Sequence, residues 1–138
     1  MPQERILVVD DEESVREVVA ALLKHAGYQI TLVNSAEDAL ARLQQDPNYD
    51  LVLADIMMPG TDGLCLLDQI GADYPGVPVV MFSAVNDIHV ATSAFRRGAF
   101  DYLLKPFERT ELEDVVLRGV EHRRLRSQNA TYRQNLEA

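Results

Sequence analysis

Short apolar runs recur along the chain, separated by longer segments in which apolar residues return every three or four positions. The runs are rich in Val, Ile and Leu, and the last is the shortest: Ile6–Val9, Ile30–Val33, Leu51–Ala54, Val77–Phe82 and Tyr102–Leu104. Runs of this length and composition are typical of strands buried on both faces of a parallel sheet. The pattern therefore predicts five such strands.

The segments between the runs have the 3.6-residue period of amphipathic helices. In the first segment Val15, Val19 and Leu22 share one face, and Gly27 follows where a C-terminal cap belongs. Four more helices are predicted after a capping-box-like Ser35, a Pro59-Gly60 turn, a cap at Asn86 or Asp87, and Glu108. Strict alternation of strand and helix predicts an α/β fold of the (βα)5 type, with helices on both faces of a parallel sheet.

Polar residues with chemical potential stand where the predicted strands end: Asp10, Asp11, Asp55, Ser83 and Lys105. In an open α/β sheet the carboxyl ends of the strands line the ligand crevice, so these side chains should meet. Three carboxylates repel one another unless a cation lies between them, and an oxygen-only ligand set favours Mg²⁺, for which Mn²⁺ can substitute. The lysine and the serine offer a charge and a hydrogen bond to a phosphoryl group. The phosphate-binding glycine pattern of nucleotide sites is absent from the sequence.

Charge and composition narrow the function class. Of the net charge of −9, residues 1–117 contribute −12 and residues 118–138 contribute +3. An acidic body would repel nucleic acid, so direct nucleic-acid binding by this domain is not expected, and the basic end reads as a solvated helix face. The sequence shows neither a signal segment nor an apolar stretch near the ~18 residues of a membrane span. The single cysteine, Cys65, is expected in the core and fits a reducing cytoplasm, the predicted location.

Four motifs together resemble the response-regulator receiver family over about residues 4–122. They are the Asp10-Asp11-Glu12 stretch after the first run, the segment from Asp50 through Asp55 to Gly63, the Ser83-Ala84 pair, and the stretch from Asp101 through Lys105-Pro106 to Phe107. Each is modest alone, but their order and their positions at strand ends make the set specific. The resemblance implies a flavodoxin-like, doubly wound sheet with strand order 2-1-3-4-5.

The resemblance also implies a role for each matching residue. Asp55 would accept a phosphoryl group from the phosphohistidine of a sensor histidine kinase. Mg²⁺ would be held by Asp10, Asp11, Asp55 and the backbone carbonyl of Met57. Lys105 would pair with the phosphoryl oxygens, Ser83 would hydrogen-bond to them, and Tyr102 would then turn inward. The Lys105–Pro106 peptide would be cis. Such a domain is not an enzyme in the ordinary sense, because it catalyses only its own phosphorylation and dephosphorylation. Its output would pass through the surface of the fourth helix, fifth strand and fifth helix.

Other interpretations of the same residues remain open at this point. Asp10 or Asp11 could simply cap the first helix, and Tyr102 could serve only packing. A Mg²⁺-dependent phosphatase of the haloacid-dehalogenase type also uses an aspartate nucleophile, but it expects Asp-x-Asp after its first strand. A receiver acting as an interaction module without phosphorylation is the third class, and the intact set of polar residues disfavours it.

The resemblance to the receiver family also suggests how the chain is divided into domains. We assign residues 1–122 to the receiver and residues 123–138 to a helical extension or linker toward an output domain absent from this chain. Leu125, Asn129, Tyr132 and Leu136 have the spacing of a short heptad seam. The extension resembles linkers to HD-GYP phosphodiesterases and to ATPase transcription activators. A homodimer is predicted through the surface of the fourth helix, fifth strand and fifth helix, or through the C-terminal helix.

Overall fold

The computed structural model describes residues 3–58, 60 and 62–137, with side chains described as far as residue 125. Five strands and five helices alternate along the chain. The strands are β1 (Arg5–Val9), β2 (Gln29–Val33), β3 (Leu51–Asp55), β4 (Val79–Ser83) and β5 (Asp101–Leu104). The helices are α1 (Glu13–His25), α2 (Ala36–Gln45), α3 (Gly63–Asp73), α4 (Ile88–Arg96) and α5 (Arg109–Glu137).

All four strand pairings are parallel, and the sheet order is β2-β1-β3-β4-β5. This confirms the doubly wound (βα)5 fold. Alternate residues of β1 face opposite sides of the sheet, with Leu7 in one core cluster and Val8 in the other. The Leu7 cluster packs against α2, α3 and α4, and the Val8 cluster packs against α1 and α5. The two layers leave the carboxyl ends of the strands at one edge.

The expectation that every strand is buried on both faces holds for the centre of the sheet and is wrong for the edge strands β2 and β5. Every residue of β3 and of β4 is buried, whereas only Val33 is buried in β2 and only Leu103 in β5. The reason is the position of β2 and β5 at the edges of the sheet, where a strand has one neighbour and less cover from helices. Apolar character alone did not distinguish an edge strand from a central one.

Local capping agrees with the sequence in most places. Gly27 follows α1 with a φ of +101°, a conformation that glycine adopts without strain. Ser35 Oγ accepts a hydrogen bond from the Asp38 backbone N–H at 3.1 Å, and Asp87 rather than Asn86 caps α4. These contacts satisfy backbone donors that have no partner inside the helix.

The prediction for Cys65 is wrong, because its side chain is exposed. It lies in the first turn of α3, whose buried face is formed by Gly63, Leu66, Leu67 and Ile70. At 100° per residue, a position between two buried ones can still face solvent. Because Cys65 is flanked by leucines, the sequence contained no sign that this position faces solvent.

The long helix α5 is fastened to the body by arginines that were expected to form a solvated face. Arg118 pairs with Asp101 at 3.0 Å, and Arg124 pairs with Glu4 at 2.5 Å. Arg123 lies 3.5 Å from an Asp50 carboxylate oxygen and donates to the Gly76 carbonyl at 3.0 Å. Each half-exposed ion pair contributes only about 0–1 kcal/mol to stability. We therefore infer that these pairs set the direction of α5 more than they stabilise it.

Beyond residue 125 the backbone of α5 continues to Glu137. Leu125 of the predicted heptad seam is exposed, and the side chains of Asn129, Tyr132 and Leu136 lie outside the described residues. Among the described residues, no helix combines the length and the apolar character needed to cross a bilayer.

Gly63 allows the start of α3 to approach the end of β3. Its N–H donates to the Ile56 carbonyl at 2.9 Å, and a Cβ at this position would overlap the Asp55 carbonyl oxygen and the Ile56 Cα. Both obstacles are backbone atoms, which cannot turn aside as a flexible side chain would. The absence of a side chain at Gly63 therefore helps to place Asp55.

Replacing Gly63 with alanine should lower the free energy of unfolding by about 1–3 kcal/mol, because the new methyl group must displace the backbone beside Asp55. The matched control is Gly71→Ala in the same helix, where a Cβ meets nothing within 4 Å. That control should gain about 0.5–1 kcal/mol from reduced backbone entropy in the unfolded chain. Urea unfolding of both variants measures the difference, and equal stabilities would contradict the close approach.

Candidate functional site

The predicted polar residues meet at the carboxyl edge of the sheet. Asp10 follows β1, Asp55 is the last residue of β3, and Lys105 follows β5. One carboxylate oxygen from each of Asp10, Asp11 and Asp55 lies within 4.8 Å of the others. Lys105 Nζ donates to Asp10 Oδ2 at 3.1 Å and to Asp55 Oδ2 at 3.0 Å. Residues up to 95 positions apart in sequence thus form one cluster.

The two buried carboxylates are held by one side chain and one backbone donor each. Asp10 is completely buried, and its Oδ1 accepts from the Glu12 N–H at 2.9 Å. Asp55 is 4% exposed, and its Oδ1 accepts from the Met57 N–H at 3.1 Å. Each Oδ2 faces Lys105. Carboxylates fixed at both oxygens are preorganised, and a second lone pair on each oxygen is left for another partner.

Burial and charge act in opposite directions at this site. Burial raises the pKa of Asp10 above its ordinary value, although hydrogen bonds from Glu12 and Lys105 counteract the effect. Burial by itself lowers the pKa of Lys105, but hydrogen bonds and charge attraction from Asp55 and Asp10 outweigh it and leave that pKa raised. Lys105 is therefore a cation at neutral pH, and Asp10 is a carboxylate whose ionisation is costly.

The acidic cluster suits a hard divalent cation. Asp11 is exposed and makes no hydrogen bond or ion pair within the described part of the chain, so both its oxygens are available. Asp10 and Asp55 supply the other carboxylate oxygens of the cluster. The Met57 backbone is held close to Asp55 by the hydrogen bond from its N–H. Lys105 compensates for part of the negative charge of the three carboxylates. An all-oxygen set at an accessible edge fits Mg²⁺, which retains several waters and favours phosphate oxygens.

Ser83 and Tyr102 are linked through the backbone of one residue, Val85. Ser83 is completely buried, and its Oγ accepts from the Val85 N–H at 3.0 Å. The Tyr102 hydroxyl donates to the Val85 carbonyl at 3.0 Å. The Lys105 N–H donates to the Ser83 carbonyl at 2.8 Å, so β5 holds Lys105 close to Ser83. The loop between β4 and α4 therefore connects the acidic site with the half-buried Tyr102.

A helix-capping role for the first two acids does not account for them. The residue at the N-cap of α1 is Glu12, and it makes no side-chain capping bond. Asp10 precedes the helix in a buried position, whereas Asp11 is exposed. The Lys105–Pro106 peptide is cis, as the resemblance implies.

The sequence of this chain matches one known protein family over most of its length. A family model, the response regulator receiver domain, matches residues 6–117. The chain belongs to the response regulator receiver domain family. Residues 6–117 hold every residue of the acidic site and of the link from Ser83 to Tyr102. This membership contradicts the alternative of a haloacid-dehalogenase phosphatase.

Relatives of this receiver domain are regulators several times its length. It is 42% identical over 117 residues to the DNA-binding transcriptional regulator NtrC of Salmonella typhimurium, covering 85% of this chain and 25% of that protein. It is 40% identical over 114 residues to the response regulator protein FleR of Pseudomonas aeruginosa, covering 83% and 24%. The chain spans about a quarter of the length of these curated relatives.

Solved structures similar to this chain are also receiver domains. The receiver domain of NtrX from Brucella abortus is 42% identical, with a TM-score of 0.80, covering 84% of this chain and 98% of that one. The signal receiver domain of an HD domain-containing protein from Pseudomonas fluorescens is 27% identical, with a TM-score of 0.83, covering 89% and 98%. A receiver domain of this shape thus occurs in at least one HD domain-containing protein.

A groove of about 430 Å³ opens beside the site of this receiver domain. Most of its wall is apolar, and Lys105 is the charged residue in the lining, which consists of Ser14, Val15, Val18, Val19, Ala84, Lys105, Pro106 and Phe107. Val18 is 59% exposed there. The groove was not predicted from the sequence, because its residues come from α1, the loop after β4 and the loop after β5.

Three further residues contribute to the site in ways that the sequence did not predict. The Arg16 guanidinium donates to the Asp10 carbonyl at 2.6 Å. Val85 contributes its backbone to the link between Ser83 and Tyr102, and Gly63 provides close access to Asp55. Two of the three act through backbone atoms, which sequence letters do not reveal. For Arg16, its position one turn into α1 after an acidic pair was the available signal.

Replacing Asp10 with asparagine should stabilise the metal-free receiver domain at neutral pH, because the wild-type carboxylate is buried and its raised pKa means that ionisation costs folding free energy. In wild type the contribution of Asp10 to stability is fully present where Asp10 is protonated and is lost as the pH rises through its raised pKa. Adding Mg²⁺ should stabilise wild type and leave Asp10→Asn nearly unchanged.

Thermal unfolding with EDTA and with Mg²⁺ provides the measurement. Asp73→Asn is the control, since Asp73 is exposed at the end of α3 and lies outside the acidic cluster. The melting temperatures of Asp73→Asn with EDTA and with Mg²⁺ should both stay near those of wild type. A metal-free Asp10→Asn protein that is less stable than wild type would contradict the balance of burial and charge described above.

Proposed function

We propose that this chain is a phosphorylation-activated switch in which Asp55 accepts a phosphoryl group from the phosphohistidine of a sensor histidine kinase. The supporting observation is the position of Asp55 itself. One of its oxygens faces the Lys105 ammonium, the other faces the Met57 N–H, and the carboxylates of Asp10 and Asp11 lie within 4.8 Å. This arrangement orients one carboxylate and places positive charge beside it.

The chemistry requires positioning and charge neutralisation more than proton transfer. A carboxylate oxygen of Asp55 bonds to phosphorus as the bond from phosphorus to the histidine nitrogen breaks, and the imidazole leaves with the bonding electrons. Lys105 and the Ser83 hydroxyl would bind the phosphoryl oxygens. Mg²⁺, held by Asp10, Asp11, Asp55 and the Met57 carbonyl, would neutralise negative charge on the transferred group. Hydrolysis of the aspartyl phosphate would return the domain to its starting state.

The kinase would approach along the apolar groove. Lys105 lines both this groove and the acidic site, so a partner seated there can present a phosphohistidine to Asp55. The valines of α1 and the ring of Phe107 offer apolar contact to a helix of that partner. A kinase donor also implies a cytoplasmic location for the domain.

The signal would travel through the Val85 backbone. When Ser83 Oγ turns toward a phosphoryl oxygen, it gives up the hydrogen bond from the Val85 N–H. The loop is then free to move, and the Val85 carbonyl that holds the Tyr102 hydroxyl moves with it. Phosphorylation would thereby shift an existing equilibrium of the surface formed by α4, β5 and α5.

This α4-β5-α5 surface carries exposed apolar side chains suited to a partner. Ile88 and Phe95 are exposed on α4, Leu104 on β5 and Leu117 on α5. A homodimer through this surface, or through the extension of α5, is part of the proposal. So is the division into a receiver at 1–122 and a helical linker at 123–138 leading to an output domain.

The nature of the output follows from the relatives by analogy. NtrC is described as a DNA-binding transcriptional regulator, and we propose transcriptional control ahead of an HD-type output for the whole regulator. DNA binding by the receiver itself is not proposed, since Arg118, Arg123 and Arg124 are paired with acids of the body.

Phosphorylation of the purified chain by a small phosphodonor with Mg²⁺ should add one phosphoryl group, and Asp55→Asn should abolish it because the nucleophilic carboxylate is lost. Chelation of the metal should have the same effect. The control is Asp62→Asn, which keeps a capping side chain at the start of α3. Intact-protein mass spectrometry gives the result, and an unmodified wild type would support an interaction module that works without phosphate.

Removing the Tyr102 hydroxyl should uncouple the switch from the chemistry. Tyr102→Phe should be phosphorylated at about the wild-type rate, because the hydroxyl contacts Val85 and none of the acidic residues. The response of amide NMR shifts across α4 and β5 should be reduced. Tyr74→Phe serves as the control, since Tyr74 packs against the core on the opposite side of the strands from α5. A full response in Tyr102→Phe would contradict the proposed route.

A further inference from the structure

We propose that Arg16 is a positioning residue for the metal ligands Asp10 and Asp11, an inference that rests on the proposed function. Its Nη1 donates to the Asp10 carbonyl oxygen at 2.6 Å. This short, charge-assisted bond joins the first turn of α1 to the end of β1. Arg16 touches neither a carboxylate of the cluster nor the reacting oxygen of Asp55, so it acts through the backbone.

The start of α1 brings the guanidinium to this carbonyl. The Arg16 N–H bonds to the Glu12 carbonyl at 3.1 Å, which places Arg16 at the end of the first helical turn. Helical side chains lean toward the N-terminus of their helix, so a long side chain here reaches back over the preceding residues. Glu12 makes no side-chain capping bond, and the Arg16 side chain adds a second tie to the end of β1 beside the bond from the Glu12 N–H to the Asp10 carboxylate.

Arg16 completes the hydrogen bonding of a buried residue. The Asp10 N–H donates to the Val33 carbonyl at 3.2 Å, and its two carboxylate oxygens accept from Glu12 and Lys105. The Asp10 carbonyl is the remaining polar group, and Arg16 supplies its donor. A completely buried residue left with one unpaired carbonyl would be less firmly held.

The consequence falls chiefly on Asp11. Its backbone nitrogen belongs to the same planar peptide unit as the Asp10 carbonyl, so a donor on that oxygen fixes the plane from which Asp11 departs. The Asp11 carboxylate has no partner among the described residues and cannot hold its own position. Arg16 therefore determines where this free ligand stands relative to Asp55.

Two cations thus perform different tasks at one acidic site. Lys105 binds the carboxylate oxygens of Asp10 and Asp55 directly. Arg16 binds a carbonyl, so it leaves the carboxylate oxygens available to an ion. A residue that orients a metal ligand in this way is worth roughly 10–100-fold in metal affinity at comparable sites.

The test is a Mg²⁺ titration of the unphosphorylated chain by calorimetry. Arg16→Met, which keeps the length of the side chain and loses the donor, should bind Mg²⁺ roughly tenfold more weakly than wild type. Arg42→Met is the matched control, since Arg42 is an exposed helical arginine on α2. It should bind as wild type does. Arg16→Lys keeps a cationic donor and should recover part of the affinity.

Two more measurements separate positioning from simple stabilisation. In metal-free protein the amide shift of Asp11 should change in Arg16→Met more than amide shifts elsewhere in the first turn of α1. Thermal unfolding in EDTA reports the structural effect alone. If Arg16→Met does not fold, Arg16→Gln, too short to span the gap, carries the same expectation.

Wild-type affinity in Arg16→Met or Arg16→Gln, with only a lower melting temperature, would overturn the positioning role. A wild-type chain that binds no Mg²⁺ would instead refute the proposed function. In that case the Asp11 amide shift still decides whether Arg16 holds the peptide, because that measurement needs no metal.

Discussion

The contact between the Lys105 ammonium and the carboxylates of Asp10 and Asp55 is the interaction on which the acidic site depends. Negative charge gathered in a buried place is unfavourable, and Asp10 shows this in a pKa raised chiefly by burial. Lys105 offsets part of that cost, and its own pKa is raised in return. Three carboxylates still outnumber this one ammonium, so the site stays negatively charged and suits a divalent cation.

The apolar sheet makes this contact possible. The fully buried strands β3 and β4 form a rigid centre, and their parallel register brings Asp55 and Ser83 to the same edge. Lys105 directly follows the edge strand β5, and its backbone N–H donates a hydrogen bond to the Ser83 carbonyl. Side-chain packing and the parallel backbone pairing of the strands thus convert residues that are distant in sequence into neighbours.

Backbone groups make the connections outward from the site. Val85 joins Ser83 to Tyr102 with its N–H and its carbonyl, and Arg16 acts on the Asp10 carbonyl. Backbone-mediated links of this kind suit a switch, because a change at one partner moves a whole peptide unit and not a single side chain. The pairing of α5 arginines with Glu4 and Asp50 sets the direction in which the helix leaves the domain.

The sequence alone determined the alternation of strands and helices, the parallel sheet and the set of acidic, serine and lysine residues at strand ends. These follow from local periodicity and from the rule that parallel strands end on one edge, and both can be read along the chain. Only the tertiary structure decided that β2 is half exposed, that Cys65 faces solvent and that three arginines of α5 bind the body. The same holds for Arg16, Val85 and the apolar groove beside Lys105. Each of these depends on which elements become neighbours in space, and residue type at one position does not encode that.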